Sequence, residues 1–398
     1  MADICRHSPR PPGPPGSDDQ RGNARDLVGA SPPFDARPVS LGVRNYLRRR
    51  AAQTSGTHGL MIAVSGGADS LALAVACAAA AAPLGMPLTA RVVDHRMREG
   101  SGAEATQVVA DLDALGIAAQ VLTADLAEGD AAVSKMPRPA GLETVARELR
   151  HSLLEASAQK WMKDQALQSV DILLGHTMDD QAETVLLRLG RGASPDALSG
   201  MREVVPTQQA GIYRGRPLLQ LRRADTEKFC KVLGLNPVED PTNRADGPWR
   251  TRDGGALPRS AIRDHVLPSL SKALAQDPVP ALGRVAGLLA EDQDALAEMG
   301  RSALKVAKLP APKGALYSLD TMALRDNPAA VRKRALRTAL AEIGAPVPTL
   351  THTEALDQSL FQGVNAQGDP RVVALPGRFV AKRHGSALVF SAGSAGNE

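Results

Sequence analysis

The segment Met61-Ile-Ala-Val-Ser-Gly-Gly-Ala-Asp-Ser70 constrains this chain more than any other: an apolar run ends in a Ser/Gly loop and passes directly into a run of helix formers. Strand, glycine turn and helix in that order aim consecutive backbone N–H groups and a helix N-terminus at one point, which makes an anion seat. Gly66 and Gly67 supply the torsions, Ser65 and Ser70 supply hydroxyl donors, and Ala68 opens the helix. Asp69 is repelled by phosphates unless it holds a divalent cation that bridges them. A glycine turn followed by an ordinary N-cap accounts for an isolated Ser-Gly-Gly, but the strand before, the helix after and the complete SGGxDS favour phosphate binding. The spacing matches neither the Gly-x4-Gly-Lys-Ser/Thr loop nor the GxGxxG dinucleotide turn.

Around this loop, apolar runs alternate with helical stretches. Leu60 to Val64, Leu88 to Val93, Ala119 to Leu122 and Asp171 to Leu174 read as strands; helices are expected from about Ser70, from about Ser101, over Leu142 to Trp161 and over Asp179 to Leu189. Continuous apolar strands separated by helices predict an α/β fold, a parallel sheet with helices on both faces. Ligands of such sheets sit outside the carboxyl ends of the strands.

Residues 1–40 carry eight prolines and four glycines without a hydrophobic period, which predicts a disordered tail. The run Arg48 to Arg50 reads as a solvated helix end. The catalytic α/β domain is placed at 41–205, an irregular basic extension that completes it at 206–275, and a mainly helical substrate-binding domain, with short strands between Val372 and Phe390, at 276–398. The chain has 47 Lys+Arg against 43 Asp+Glu, yet Gly211 to Lys272 alone has 12 against 7, so the basic surplus lies in the second half. That half suits a nucleic-acid partner. Aromatic residues are only 3% of the chain, which excludes a reader that stacks many bases along a strand. Three cysteines without a CxxC speak against disulfides and Cys-based zinc and for a reducing, cytoplasmic location. The apolar stretch Leu71 to Leu84 is too short to span a bilayer, so no membrane association is expected.

Further residues carry chemistry. Asp179, Asp180 and Glu183 share one side of a helix start, where they could hold an ammonium group or a second metal; acids in the first turn are also simply favoured by the helix dipole. His176 ends a strand three residues earlier and could orient phosphate or accept a proton. Arg147 and Arg150 lie one turn apart, as a phosphate clamp requires, or as solvated arginines do. Val93, Asp94 and His95 end a strand beside the phosphate loop. Arg214, Arg216, Arg222, Arg223, Arg244, Arg250, Arg252, Arg259 and Arg263 recur through the loops of the second half, where their density suggests RNA phosphates.

The loop resembles the pyrophosphate loop of the N-type ATP pyrophosphatases, over roughly residues 55–200; these enzymes cut ATP between its α and β phosphates. Four further segments narrow the resemblance: Val92-Val-Asp-His95, His176-Thr-Met-Asp-Asp-Gln-Ala-Glu-Thr184 running on to Leu187-Arg-Leu-Gly-Arg-Gly192, Arg216-Pro-Leu-Leu219, and Asp240-Pro-Thr-Asn243. Together they look like the tRNA(Ile)-lysidine synthase family over roughly residues 59–270. The resemblance implies a ligase that adenylates the C2 oxygen of cytidine 34 in an isoleucine tRNA with a CAU anticodon. The ε-amine of free L-lysine then displaces AMP, changing codon reading from AUG to AUA. It implies ATP binding by Ser65, Gly66, Gly67, Ala68, Asp69, Ser70, Val93, Asp94 and His95, magnesium on Asp69, and lysine binding by Asp179, Asp180 and Glu183. Asp69, Arg147, His176, Asp179 and Asp180 become the catalytic candidates. A homodimer is compatible with the sequence. Departures from the family pattern are Thr177 in place of a second His, His151 in place of Tyr, and an insertion before Ile262-Arg263. The nearest alternative is a tRNA thiolase of the same superfamily, which needs a reactive cysteine beside the loop. A non-catalytic RNA-binding module would keep the fold and tolerate loss of Asp69.

Overall fold

The computed structural model describes residues 23–94, 96, 100–123, 142–192, 194–238, 246–247, 250–251, 254–363 and 371–393. The chain divides into two units, Met1–Leu187 with Met201–Gly283, and Arg188–Gly200 with Arg284–Glu398.

In the first unit β1 (His58–Val64), β2 (Leu88–Asp94), β3 (Ala119–Thr123), β4 (Ser169–Leu174), β5 (Val204–Pro206) and β6 (Ile212–Gly215) form one sheet. Its order is β3-β2-β1-β4-β6-β5, with all pairings parallel except β5 on β6. The expected α/β sheet is therefore present, and the reason is visible along β1. Leu60, Ile62 and Val64 enter one buried cluster with the helix Ala68–Ala81. Met61 enters a second cluster with Leu154 and Ala158 of the helix Leu142–Asp164. Period-2 alternation sends side chains to both faces, and both faces are covered. β6 was not expected from the sequence, because four residues reading Ile-Tyr-Arg-Gly offer no apolar run.

The expected disorder through residue 40 does not hold for residues 23–40. Asn23 caps the short helix Ala24–Val28, and a second helix runs from Arg37 to Gln53. Ala24, Val28, Val39 and Val43 are buried in the main cluster. The alanine-rich helix Ala68–Ala81 is apolar all round and must be covered on its outer side. A five-residue helix is too short to announce that role by periodicity. Arg50 is likewise not solvated. It is buried, and its guanidinium clasps the fully buried Asp171 at 2.7 and 2.8 Å.

In the second unit, the helices Ala329–Glu342 and Leu350–Phe361 and the C-terminal part of the helix Val279–Ala307 pack with a four-stranded antiparallel sheet. Its strands β7 (Tyr317–Asp320), β8 (Val372–Leu375), β9 (Phe379–His384) and β10 (Ala387–Ala392) take the order β7-β10-β9-β8. Leu304, Leu319, Leu336, Leu356, Leu388 and Phe390 lie in its core. Among the described residues no helix is long and apolar enough to cross a membrane.

Candidate active site

The chain leaves β1 for β2 and β3 on one side and returns to β4 on the other, so the strand order reverses between β1 and β4. Open α/β sheets receive their ligands at such a switch point, outside the carboxyl ends of those two strands. The phosphate loop leaves β1 there. Gly66 has φ +86, and a Cβ on it would meet Val108 at 2.9 Å, so the turn demands glycine on two counts. The Gly66 carbonyl accepts the Val238 N–H at 3.0 Å. Ser65 and Ser70 hydroxyls lie 3.2 Å apart, and Ser70 donates to the Gly67 carbonyl at 3.0 Å. The serines thus brace the loop as well as line it. Gly175, after β4, lets the two strand ends close up, since a Cβ there would meet the Asp69 and Ser70 backbone at 3.0 Å.

Beyond Gly175 the chain turns into the helix Met178–Leu189. Thr177 donates its N–H at 2.8 Å and its hydroxyl at 3.0 Å to Asp180 Oδ2. The residue that departs from the family pattern therefore precedes the helix and fixes Asp180, whose carboxylate accepts from it as the third helical residue of a capping box does. Asp180 and Glu183 are buried on one side of this helix and Asp179 is partly buried.

Arg223 joins these acids to the phosphate loop. Its Nε is 3.4 Å from Asp69 Oδ2, its Nη2 3.0 Å from Asp180 Oδ1 and its Nη1 3.6 Å from Glu183 Oε1. Its backbone N–H donates to Asp179 at 2.8 Å. Arg263 Nε donates to Glu183 Oε1 at 2.7 Å from within the π-helical turn Ile262–Val266. Arg222 grips both oxygens of Asp179 at 3.0 and 3.1 Å and also bonds Asp277. The Thr226 hydroxyl donates to Asp69 Oδ1.

Four clustered carboxylates need guanidinium partners once removed from water. This corrects the reading of the second-half arginines as a phosphate-binding series. Arg222, Arg223 and Arg263 pair with the acids of the shelf without cancelling all of their charge, Arg214 lies 3.6 Å from Glu155, and the buried Arg216 donates to the Arg202 carbonyl at 2.7 Å. Arg244 and Arg252 lie outside the described residues, as do His95 and Asp240 to Asn243. Thr226 was not anticipated at all. A signal for Arg222 and Arg223 was present: two cations at the positive start of the helix Arg223–Val232 are unfavourable unless acids face them.

Burial pushes the Asp69 carboxyl up to about 6, against the Thr226 hydrogen bond and the Arg223 charge, which pull it down. Burial also raises Glu183, whose Oε2 has no hydrogen-bond partner among the described residues. For Asp180 burial acts in the same direction, but Arg223 and the Thr177 donors outweigh it and hold the carboxyl low. His176 ends beside this shelf with Nδ1 enclosed and unpartnered among the described residues. Burial lowers its pKa, Asp180 opposes, and Arg216, Arg147 and Arg259 lower it further, so the imidazole is neutral. Arg147 is half-buried on the helix Leu142–Asp164, and its charge is felt at His176. Asp94 accepts the Arg96 N–H at 2.9 Å and the Ser101 hydroxyl at 2.6 Å, which anchors the next helix, and Val93 pairs with Leu122.

Neither described cysteine is reactive. Cys77 and Cys230 are buried, and burial raises both thiols, Cys230 to about 12. Cys77→Ala and Cys230→Ala are each expected to keep nearly full activity in a turnover assay; a persulfide chemistry would lose it.

A family model described as a PP-loop domain matches residues 43–270, and one described as the TilS substrate binding domain matches residues 319–388. The tRNA(Ile)-lysidine synthase of Streptomyces coelicolor is 40% identical over 336 residues, covering 84% of this chain and 85% of that protein. The tRNA(Ile)-lysidine synthase of Salinispora arenicola is 37% identical, covering 83% of this chain and 91% of its own. That of Nocardia farcinica is 38% identical, covering 83% and 90%.

Proposed function

The chain belongs to the tRNA(Ile)-lysidine synthase family, and on that premise we propose that it joins L-lysine to the wobble cytidine of an isoleucine tRNA with a CAU anticodon, at the expense of ATP. The observation that carries the reading is Arg223, which ties a phosphate loop to a buried acidic shelf at one sheet end. Phosphates and a cationic amine are thereby received side by side.

In the first step the cytosine C2 oxygen attacks the α-phosphorus of ATP. The new O–P bond forms as the bond to the β-phosphate oxygen breaks, and pyrophosphate leaves. The loop N–H groups and the helix start at Ala68 receive the departing charge. Asp69 fits a magnesium ion that is held by one carboxylate and otherwise by substrate phosphates. Among the described residues no group of three His, Cys, Asp or Glu side chains is arranged to hold a metal ion by itself. A magnesium ion bound there would neutralise charge on the phosphates. In the second step the lysine ε-amine attacks C2, the C–N bond forms, the C2–O bond breaks and AMP leaves. Asp179, Asp180 and Glu183 would seat the lysine ammonium. Glu183 Oε2, unengaged among the described residues and raised by burial, is the atom of the shelf suited to take the amine proton.

The test is direct. Protein, ATP, magnesium and labelled lysine are incubated with a CAU-anticodon isoleucine tRNA, and label is expected on the wobble base with one AMP released per lysine joined. Absence of label in the base fraction would sink the proposal.

A further inference from the structure

The C-terminal end of the helix Leu350–Phe361 gathers positive charge that no acidic side chain among the described residues pairs with. Arg325 Nε and Arg383 Nη1 donate to the same oxygen, the Leu360 carbonyl, at 2.5 and 2.9 Å. Two guanidinium groups are thus held beside one another on a single neutral acceptor. Arg325 also donates to the Phe361 carbonyl at 3.3 Å, and Arg383 to the Gly385 carbonyl at 2.9 Å. Arg371 joins them from the strand side, donating to Gln362 Oε1 at 2.6 Å and Gln358 Oε1 at 3.0 Å. Gly363 leaves room for this arrangement, since a Cβ on it would meet the Arg383 guanidinium at 3.3 Å.

Arg332 supplies the contrast. It lies 4.8 Å from the half-exposed Phe361 ring, as Arg325 does at 5.3 Å, but its charge is cancelled by a two-pronged bond to Asp357 at 2.8 and 2.9 Å. Arg325, Arg371 and Arg383 form no ion pair among the described residues. Backbone and amide oxygens fix their direction without neutralising them, and the negative helix end accounts for only about half a charge. Three oriented forks without a counter-charge among the described residues match an anion that presents several oxygens at once.

The geometry points to a seat for a phosphodiester of the tRNA backbone at Arg325, Arg371 and Arg383. The proposal rests on the tRNA ligase reading for its choice of partner. It concerns backbone charge and carries no base preference.

The experiment measures binding of a CAU-anticodon isoleucine tRNA transcript at several salt concentrations. Arg371→Gln, which disturbs two side-chain contacts among the described residues, and Arg371→Gln with Arg383→Gln are compared with wild type, with thermal melting as the check on folding. The double variant is expected to bind about 10-fold more weakly, with a log–log salt slope shallower by about 1. Its KM for tRNA rises and its kcat stays. Arg332→Gln, which removes an already cancelled charge, is expected to leave the slope unchanged. Folded variants with wild-type affinity and slope overturn the proposal, and so does weaker binding at an unchanged slope, because that is a structural effect. Wild-type protein that binds tRNA and transfers lysine while the variants match it overturns the seat alone; wild-type protein that binds no tRNA overturns both readings.

Discussion

Asp69→Asn is expected to lower base adenylation by on the order of 10³-fold, while the fold and tRNA binding persist. Asn keeps an oxygen for the Thr226 hydroxyl and nearly the same shape, so the change removes charge rather than packing. Asp69 is the carboxylate of the phosphate loop itself, one residue into the helix Ala68–Ala81. Single-turnover release of pyrophosphate checks the rate, and filter retention checks tRNA binding. A non-catalytic RNA-binding module would show no change in either. The pH dependence has a definite sign. Burial lifts the Asp69 carboxyl to about 6, so protonation removes the charge as pH falls through that value. The wild-type profile of kcat/KM is expected to drop on its acid side near pH 6, and the Asn variant to lack that inflection.

The second large effect lies in the buried cluster under the sheet. Asp171→Ala is expected to destabilise the first unit by about 3–5 kcal/mol, because it strands the Arg50 guanidinium in the core. Asp171 is fully buried and accepts from Arg50 twice and from the Tyr46 hydroxyl at 2.9 Å. Arg50 also lies 4.9 Å from the Tyr213 ring. Urea unfolding at pH 7 measures the loss. The pair Arg50→Met with Asp171→Leu is expected to recover much of it, since two apolar groups leave no orphaned charge. Although burial alone would raise the Asp171 carboxyl, the Arg50 and His58 contacts outweigh it and hold it at about 2. The folded value lies below the unfolded one, so the contribution is complete above about pH 4 and fades as pH falls toward 2. The linked stability is roughly 2–3 kcal/mol. Wild type is expected to lose that much between pH 5 and 2 beyond what the double variant loses.

The legible parts of the molecule were those with local signatures. Strand, loop and helix around Ser65 to Ser70 are written in ten consecutive residues, and Asp179, Asp180 and Glu183 follow helical spacing. The ordered N-terminal segment was not legible, because Ala24 and Val28 matter only through the alanine-rich helix they cover. Nor was the partner of Asp171, since Arg50 lies 121 residues away in the chain.

The arginines show where sequence reading stops. A run of Arg in loops looks the same whether it faces RNA or buried carboxylates. Arg223 and Arg263 are drawn into the shelf because four acids cannot be desolvated unpaired, whereas Arg325, Arg371 and Arg383 rest on neutral oxygens. The sequence by itself determined the parallel α/β sheet and the strand, glycine loop and helix around Ser65 to Ser70, because those follow from short-range pattern, while the ligase chemistry entered through the family resemblance that its motifs carry. Only the tertiary structure decided which charges cancel one another and which remain to meet a substrate, because pairing energy depends on burial and distance across residues far apart in the chain.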